Sequence, residues 1–273
     1  MKSTKELFEM IKKYLERNFY FSHTMVGEQK ASIIAESVML TWIYDQFDFC
    51  PYLMIIGERG TGKTVLGHIL SKVVYQFVQS GNATATINYL LKQTSENPGT
   101  IIFDGGVFGG WDDSIDVVRF LTFGARKDQP LFRSMMVKKG HSKKTFEPLM
   151  FSTYCPKIIL ACPEELNMID ANSIVRRSIQ IELKNVSLDE LVANGIRIEI
   201  NQNKLDAESD EITNGLKEWR EAKIADHADL ERMFVENQQS HQLNPKFALH
   251  LALAYEIHSA PLVALLMEYG ALR

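Results

Sequence analysis

The sequence predicts an α/β fold: a three-layer arrangement with a parallel sheet between two layers of helices, followed by a smaller helical subdomain. Three observations predict it. Short apolar runs ("YLMII", "TIIFD", "KIILA", "SIQIEL") alternate with segments whose apolar residues recur at helical spacing. The first three are continuously apolar between their ends, as strands covered on both faces are. From about residue 186 the strand signals fade and helical patterns take over.

Taken in order, "TKELFEMIKKYLERN" at 4–18 reads as an amphipathic helix. A second helix spans 28–47, with Ile33, Ile34, Val38, Trp42 and Ile43 apolar. Pro51 breaks the chain before a short strand, Tyr52 to Ile56. A helix starts at Lys63, with Val65, Leu66, Ile69, Leu70, Val73, Val74 and Phe77 at helical spacing. A strand near 83–86 and a helix over 87–95 follow, closed by Pro98 and Gly99. The next apolar run ends in a carboxylate, Asp104, and "IDVVRFLTFGA" is a helix. "LFRSMMVKKGHSKKTFEPLMF" has two extended halves around a polar turn, a hairpin. "PKIILAC" is a buried strand, and "ANSIVRRSIQIEL" ends in another, Ser178 to Leu183. Beyond it, "IRIEI" at 196–200 has strand character, and helical patterns cover 208–225, 227–238, 245–258 and 260–269. "NQNKLDAESDE" reads as an exposed linker. The expected organisation is an N-terminal helical segment, 1–50, packed on a core, 51–185, with a helical lid, 186–273.

The chain has 273 residues and an ordinary globular composition, enough for a sizeable core. Its net charge of −4 means that nucleic-acid contact must come from a local basic patch, not from a global field. Cys50, Cys155 and Cys162 are odd in number and lack C-x-x-C spacing, which points to a reduced, cytoplasmic setting without a zinc site. The first residues lack the apolar core of a signal peptide, and no run is long enough to span a bilayer, so no membrane partner is expected.

The most specific signal is "GERGTGKT". It fits G-x-x-x-x-G-K-[ST] and lies between a strand and a helix, the context in which such a loop holds phosphates. Glycines let the backbone curl so that its N–H groups converge on one anion, and the helix N-terminus adds a positive dipole. The binding set is Gly57, Glu58, Arg59, Gly60, Thr61, Gly62, Lys63, Thr64 and Val65. Lys63 is expected on the β- and γ-phosphates and Thr64 on Mg²⁺. Asp104 ends a strand about 40 residues on, where a carboxylate holds Mg²⁺ through water. The residue after such an aspartate is often a glutamate that polarises the attacking water, but here Gly105 and Gly106 follow. Asp112 and Asp113 are candidates for that missing acid, and Glu58 is expected to be merely solvated. Arg176 and Arg177 open the last core strand. Lys138, Lys139, Lys143 and Lys144 surround the hairpin turn, a basic cluster that could grip phosphates without base preference. The aromatic residues Phe132, Phe146 and Phe151 flank the hairpin but not its tip, which favours backbone grip over stacking.

Together these residues resemble the AAA+ ATPases, and within them the helicase-like group of phages, plasmids and mobile elements, which includes superfamily 3 helicases and primase-associated ATPases. The resemblance covers about 28–184. "GERGTGKT" is similar to the Walker A motif, "IIFDGG" to the Walker B strand without its glutamate, and the hairpin to the pre-sensor-1 insertion. "KIILACPEE" is similar to the sensor 1 strand, with Cys162 and Pro163 where an asparagine is usual. "NSIVRRSIQIEL" is similar to the segment that carries an arginine finger. The resemblance implies a P-loop NTPase core binding ATP and Mg²⁺, with Lys63, Asp104 and Arg177 catalytic and Arg177 acting on a neighbour's γ-phosphate. It further implies a hexameric ring that draws single- or double-stranded DNA through its centre, in replication or a mobile element. Both departures fall on hydrolysis, not on binding. Two other readings remain: a nucleotide-dependent switch or assembly ATPase, and a small-molecule kinase, against which the chain length and the hairpin argue.

Overall fold

The computed structural model describes residues 1–21, 25–79, 86–104, 114–139, 143–166, 171–193 and 201–225, together with 232, 235, 253, 254, 256 and 257. Its strands are Tyr52–Ile56 (β1), Val78–Gln79 (β2), Ile101–Asp104 (β3), Leu131–Lys139 (β4), Lys143–Phe151 (β5), Lys157–Ala161 (β6) and Ser178–Glu182 (β7). The helices are Thr4–Asn18 (α1), Met25–Ile43 (α2), Lys63–Ser71 (α3), Thr86–Glu96 (α4), Ser114–Phe123 (α5), Pro163–Leu166 (α6), Ala171–Val175 (α7), Leu188–Ala193 (α8) and Gln202–Ala225 (α9). Five strands form one sheet in the order β2-β3-β6-β1-β7, and every pairing in it is parallel. The strands β4 and β5 form a separate antiparallel hairpin.

Both faces of β1, β3 and β6 are buried, which is why these strands carry no polar alternation, whereas β7 at the sheet edge alternates Ser178, Gln180 and Glu182 with Ile179 and Ile181. Successive residues of β1 point to opposite faces. Leu53 and Ile55 pack with α1, α2, α3 and α9, whereas Tyr52, Met54 and Ile56 pack with α4, α5 and α7. The α1 helix starts where Ser3 and Glu6 form a reciprocal capping box, satisfying amide groups that the helix leaves unpaired. It buries Leu7, Phe8, Ile11, Tyr14 and Leu15. Trp42 on α2 donates its indole N–H to the Val73 carbonyl at 2.9 Å, tying that layer to the chain after α3.

In three places the elements differ from the expected ones. The α3 helix ends at Ser71, so Val73, Val74 and Phe77 are not helical. The amides of Val73 and Val74 both reach the Leu70 carbonyl, and Gln76 turns the chain with φ +42°. Val73 and Val74 are nevertheless buried, so their apolar spacing recorded burial and not helix. A sheet strand not expected from the sequence is Val78–Gln79, and the strand expected at 83–86 is tested only at its last residue. Thr86 opens α4, and 83–85 lie outside the described residues. Finally, "NQNKLDAESDE" is no linker, because nearly all of it is the first half of α9. Asn201 caps that helix through Lys204 N–H at 3.1 Å, and Leu205, Ile212, Leu216 and Trp219 bury one face. The polar residues that suggested a linker form its outer face. The strand expected at 196–200 lies outside the described residues, as do the helices at 227–238, 245–258 and 260–269 apart from the six isolated positions.

Candidate functional site: a phosphate loop beside a strand-end carboxylate

The glycine loop joins the C-terminal end of β1 to α3. Gly60 and Gly62 have φ of +86° and +83°, a backbone that glycine adopts at no steric cost. Gly62 also lies under the Phe19 ring, where a Cβ would stand 3.0 Å from Cε2. Glu58, Arg59 and Gly60 are exposed, and Thr61 is buried with its hydroxyl on the Glu58 carbonyl at 2.9 Å. Lys63 is folded back over the loop, donating to the carbonyls of Gly57 at 2.6 Å and Glu58 at 2.9 Å. Val65, on the first turn of α3, is exposed.

Asp104 closes β3 two strands away from β1, with β6 between them. It is exposed, and the Thr64 hydroxyl donates to its Oδ1 at 3.2 Å. Two residues 40 apart in sequence thus meet at the sheet's C-terminal edge. Both offer hard oxygen donors in an exposed, hydrated position, the chemistry that Mg²⁺ prefers. The donor set fits that ion, which Thr64 and Asp104 would hold.

Sequence reading passed over several neighbours of the loop. Leu183 N–H bonds the Ile56 carbonyl at 2.7 Å, so the segment after β7 lies against the loop's base. Lys30 on α2 donates to the Glu182 carbonyl at 2.6 Å. Burial, and then the nearby Lys184 ammonium, holds the Lys30 pKa below its ordinary value. Two cations thus stand beside the loop, brought there by α2 and by the chain after β7. Glu164 and Glu165 sit at the C-terminal end of β6, the strand between loop and Asp104. Glu165 accepts from the Cys162 N–H at 2.8 Å, and Glu164 is exposed. Their signal was available in "CPEE", acids directly after a buried apolar run. Asp112 and Asp113 lie outside the described residues.

Arg177 lies at the other end of the sheet. It precedes Ser178, whose register partner is Tyr52, the first residue of β1. About five residues of strand, ~17 Å, separate it from the loop. Its guanidinium donates to the Ser173 carbonyl at 2.6 Å, whereas Arg176 is exposed. Neither arginine can meet phosphates held by its own chain's loop. The lysines of the hairpin pair in register, Lys138 opposite Lys144 and Lys139 opposite Lys143. Among the described residues no helix is long and apolar enough to cross a membrane.

No family profile matches the chain, and no curated protein matches it. Among solved structures it is similar to "The A form apo structure of NrS-1 C terminal region-CTR", at 18% identity and a TM-score of 0.39, over 81% of this chain. The chain spans about half of that protein, 48% of its length.

Proposed function

We propose that this chain binds Mg·ATP through the loop at 57–65 and works as a ring-forming, AAA+-type ATPase that moves on DNA in a replication or mobile-element system. The observation that carries the nucleotide part is the 3.2 Å approach of the Thr64 hydroxyl to Asp104 at the mouth of a loop with two left-handed glycines. The Lys63 ammonium would exchange two backbone carbonyls for phosphate oxygens, a gain in charge complementarity. When bound, Mg²⁺ would neutralise charge on the β- and γ-phosphates. The chain's own part is to cradle the phosphates with loop amides, orient them with Lys63, and hold the ion through Thr64 and Asp104.

If Arg177 acts at that phosphate it must come from a second copy, because it stands at the far end of its own sheet. This favours an assembly with sites at subunit joints. The lysine pairs of the hairpin supply the DNA grip. Calorimetry with Mg·ATP on the full chain tests the first step. Binding by the wild type and its loss in Lys63→Ala is the expected result, and a folded wild type that gives no heat overturns the proposal. Steady-state turnover with and without single-stranded DNA tests the second step.

A switch without efficient turnover is the second reading, favoured by Gly105 where a water-polarising glutamate would stand. Tight Mg·ATP binding with no turnover in either condition would select it.

A further inference from the structure

One strand, β6, lies between the phosphate loop and Asp104, and two acids follow it. The amide of Gly57, the loop's first residue, donates to the Ala161 carbonyl at 3.1 Å. Asp104 stands opposite Leu160 in the register of β3 and β6. Glu164 is three residues past Ala161 and four past Leu160. Neighbouring strands lie about 4.8 Å apart, so the chain leaving β6 emerges with the loop on one side and Asp104 on the other. In open parallel sheets the ligand crevice lies outside these carboxyl ends.

The two acids are not equivalent. Glu165 is tied to its own backbone, accepting from the Cys162 N–H at 2.8 Å and so fixing the turn out of the strand. Glu164 is exposed and makes no hydrogen bond or ion pair with any described residue. Two other exposed acids at this end of the sheet stand elsewhere. Glu182 closes β7, which β1 and β6 separate from β3, and Glu58 belongs to the loop on β1.

We propose that Glu164 is the general base for ATP hydrolysis, supplying from β6 the acid that Gly105 does not supply from β3. The proposal rests on the Mg·ATP reading above and adds the residue that activates the water. In the step, the Glu164 carboxylate orients a water and accepts a proton from it. The water oxygen bonds to the γ-phosphorus as the bond from that phosphorus to the β–γ bridging oxygen breaks. ADP and inorganic phosphate leave, and Glu164 returns the proton to solvent. The acid has moved one strand over, to the strand that both the loop and Asp104 adjoin.

The test combines Mg·ATP calorimetry, steady-state turnover with and without single-stranded DNA, and the identity of the nucleotide retained by the full chain. Glu164→Gln should bind Mg·ATP as tightly as the wild type and turn over at least ~100-fold more slowly. Protein incubated with Mg·ATP, freed of unbound nucleotide and denatured should release ATP from Glu164→Gln and ADP from the wild type. Glu164→Asp keeps an acid one methylene short and should retain more turnover than the isosteric Glu164→Gln. Glu165→Gln keeps an acceptor for the Cys162 amide and should turn over like the wild type. Glu164 is exposed, so folding is retained, checked by circular dichroism. Wild-type turnover in Glu164→Gln, or more turnover in Glu164→Gln than in Glu164→Asp, overturns the proposal. Loss of Mg·ATP affinity in Glu164→Gln assigns the side chain to binding and also overturns it. A wild type that binds Mg·ATP without turnover in either condition overturns the base and leaves the nucleotide reading standing. A wild type that binds no nucleotide overturns both.

Discussion

Lys157 is a lysine with almost no access to water, 1% exposed, at the N-terminal end of β6. Its ammonium donates to the carbonyls of Thr153 at 2.8 Å, Cys155 at 3.0 Å and Gly124 at 3.1 Å, and lies over the rings of Tyr52 and Phe120. Burial holds its pKa below the ordinary lysine value, with the neighbouring Cys155 and Cys50 opposing that shift. The cage ties the loop after the hairpin, the end of α5 and the sheet to one point. Lys157→Met removes the donor and leaves three carbonyls facing an apolar chain. The expected loss is about 3 kcal/mol of stability, read from urea unfolding. At the opposite sheet end, Gly67 faces Leu160, and a Cβ there would stand 2.6 Å from Leu160 Cδ1. Gly67→Val should lift α3 off the sheet and so displace Thr64 from Asp104. Mg·ATP affinity is expected to fall more than tenfold while the loop's own residues are intact, measured by calorimetry.

At the scale of elements, α9 is fastened to the layer made by α1 and α2. Arg220 makes a two-pronged pair with Asp45 at 2.9 and 2.7 Å, donates to the Trp42 carbonyl, and lies 4.6 Å from the Tyr75 ring centre. Burial raises the Asp45 pKa, but hydrogen bonds from Arg220 and Gln46 outweigh it and leave the carboxyl below its ordinary value. A carboxylate with a lowered folded-state pKa contributes stability that is complete above its unfolded value, about 3.9, and is lost as pH falls through the folded value. The latch should therefore hold at neutral pH and fail only in acid. Arg220→Met is expected to cost about 2 kcal/mol at pH 7 and to flatten the acid limb of stability below pH ~4. An unchanged acid limb would show that Asp45 is not held by Arg220.

At the scale of the molecule, loop and Arg177 lie at opposite ends of one sheet, so a site using both needs two copies. Mixing Arg177→Ala with Lys63→Ala, each inactive alone, should restore part of the turnover, because the Lys63→Ala copy lends its arginine to a neighbour's intact loop. No recovery would show that Arg177 does not act on a neighbouring copy. Arg176 provides a control. If Arg176→Ala is the variant that is inactive alone and rescued in the mixture, and Arg177→Ala is not, the finger is the exposed arginine.

The sequence by itself determined the strand, glycine loop and helix, because glycine's backbone freedom and a lysine at fixed spacing leave few other uses for that pattern. It also determined α1, the hairpin and three of the remaining sheet strands, of which β3 and β6 carry apolar runs that report burial on both faces. Local pattern could not separate helix from buried turn at Val73 and Val74, nor see that the polar stretch at 201–211 hides one apolar face. Only the tertiary structure decided what meets what. It inserted β6 between β1 and β3 and still brought Thr64 to Asp104, set Lys30 and Lys184 beside the loop, and sent Arg177 to the far end of the sheet. Strand order and hairpin register arise from long-range pairing, and no window along the chain encodes which distant backbone will satisfy an edge.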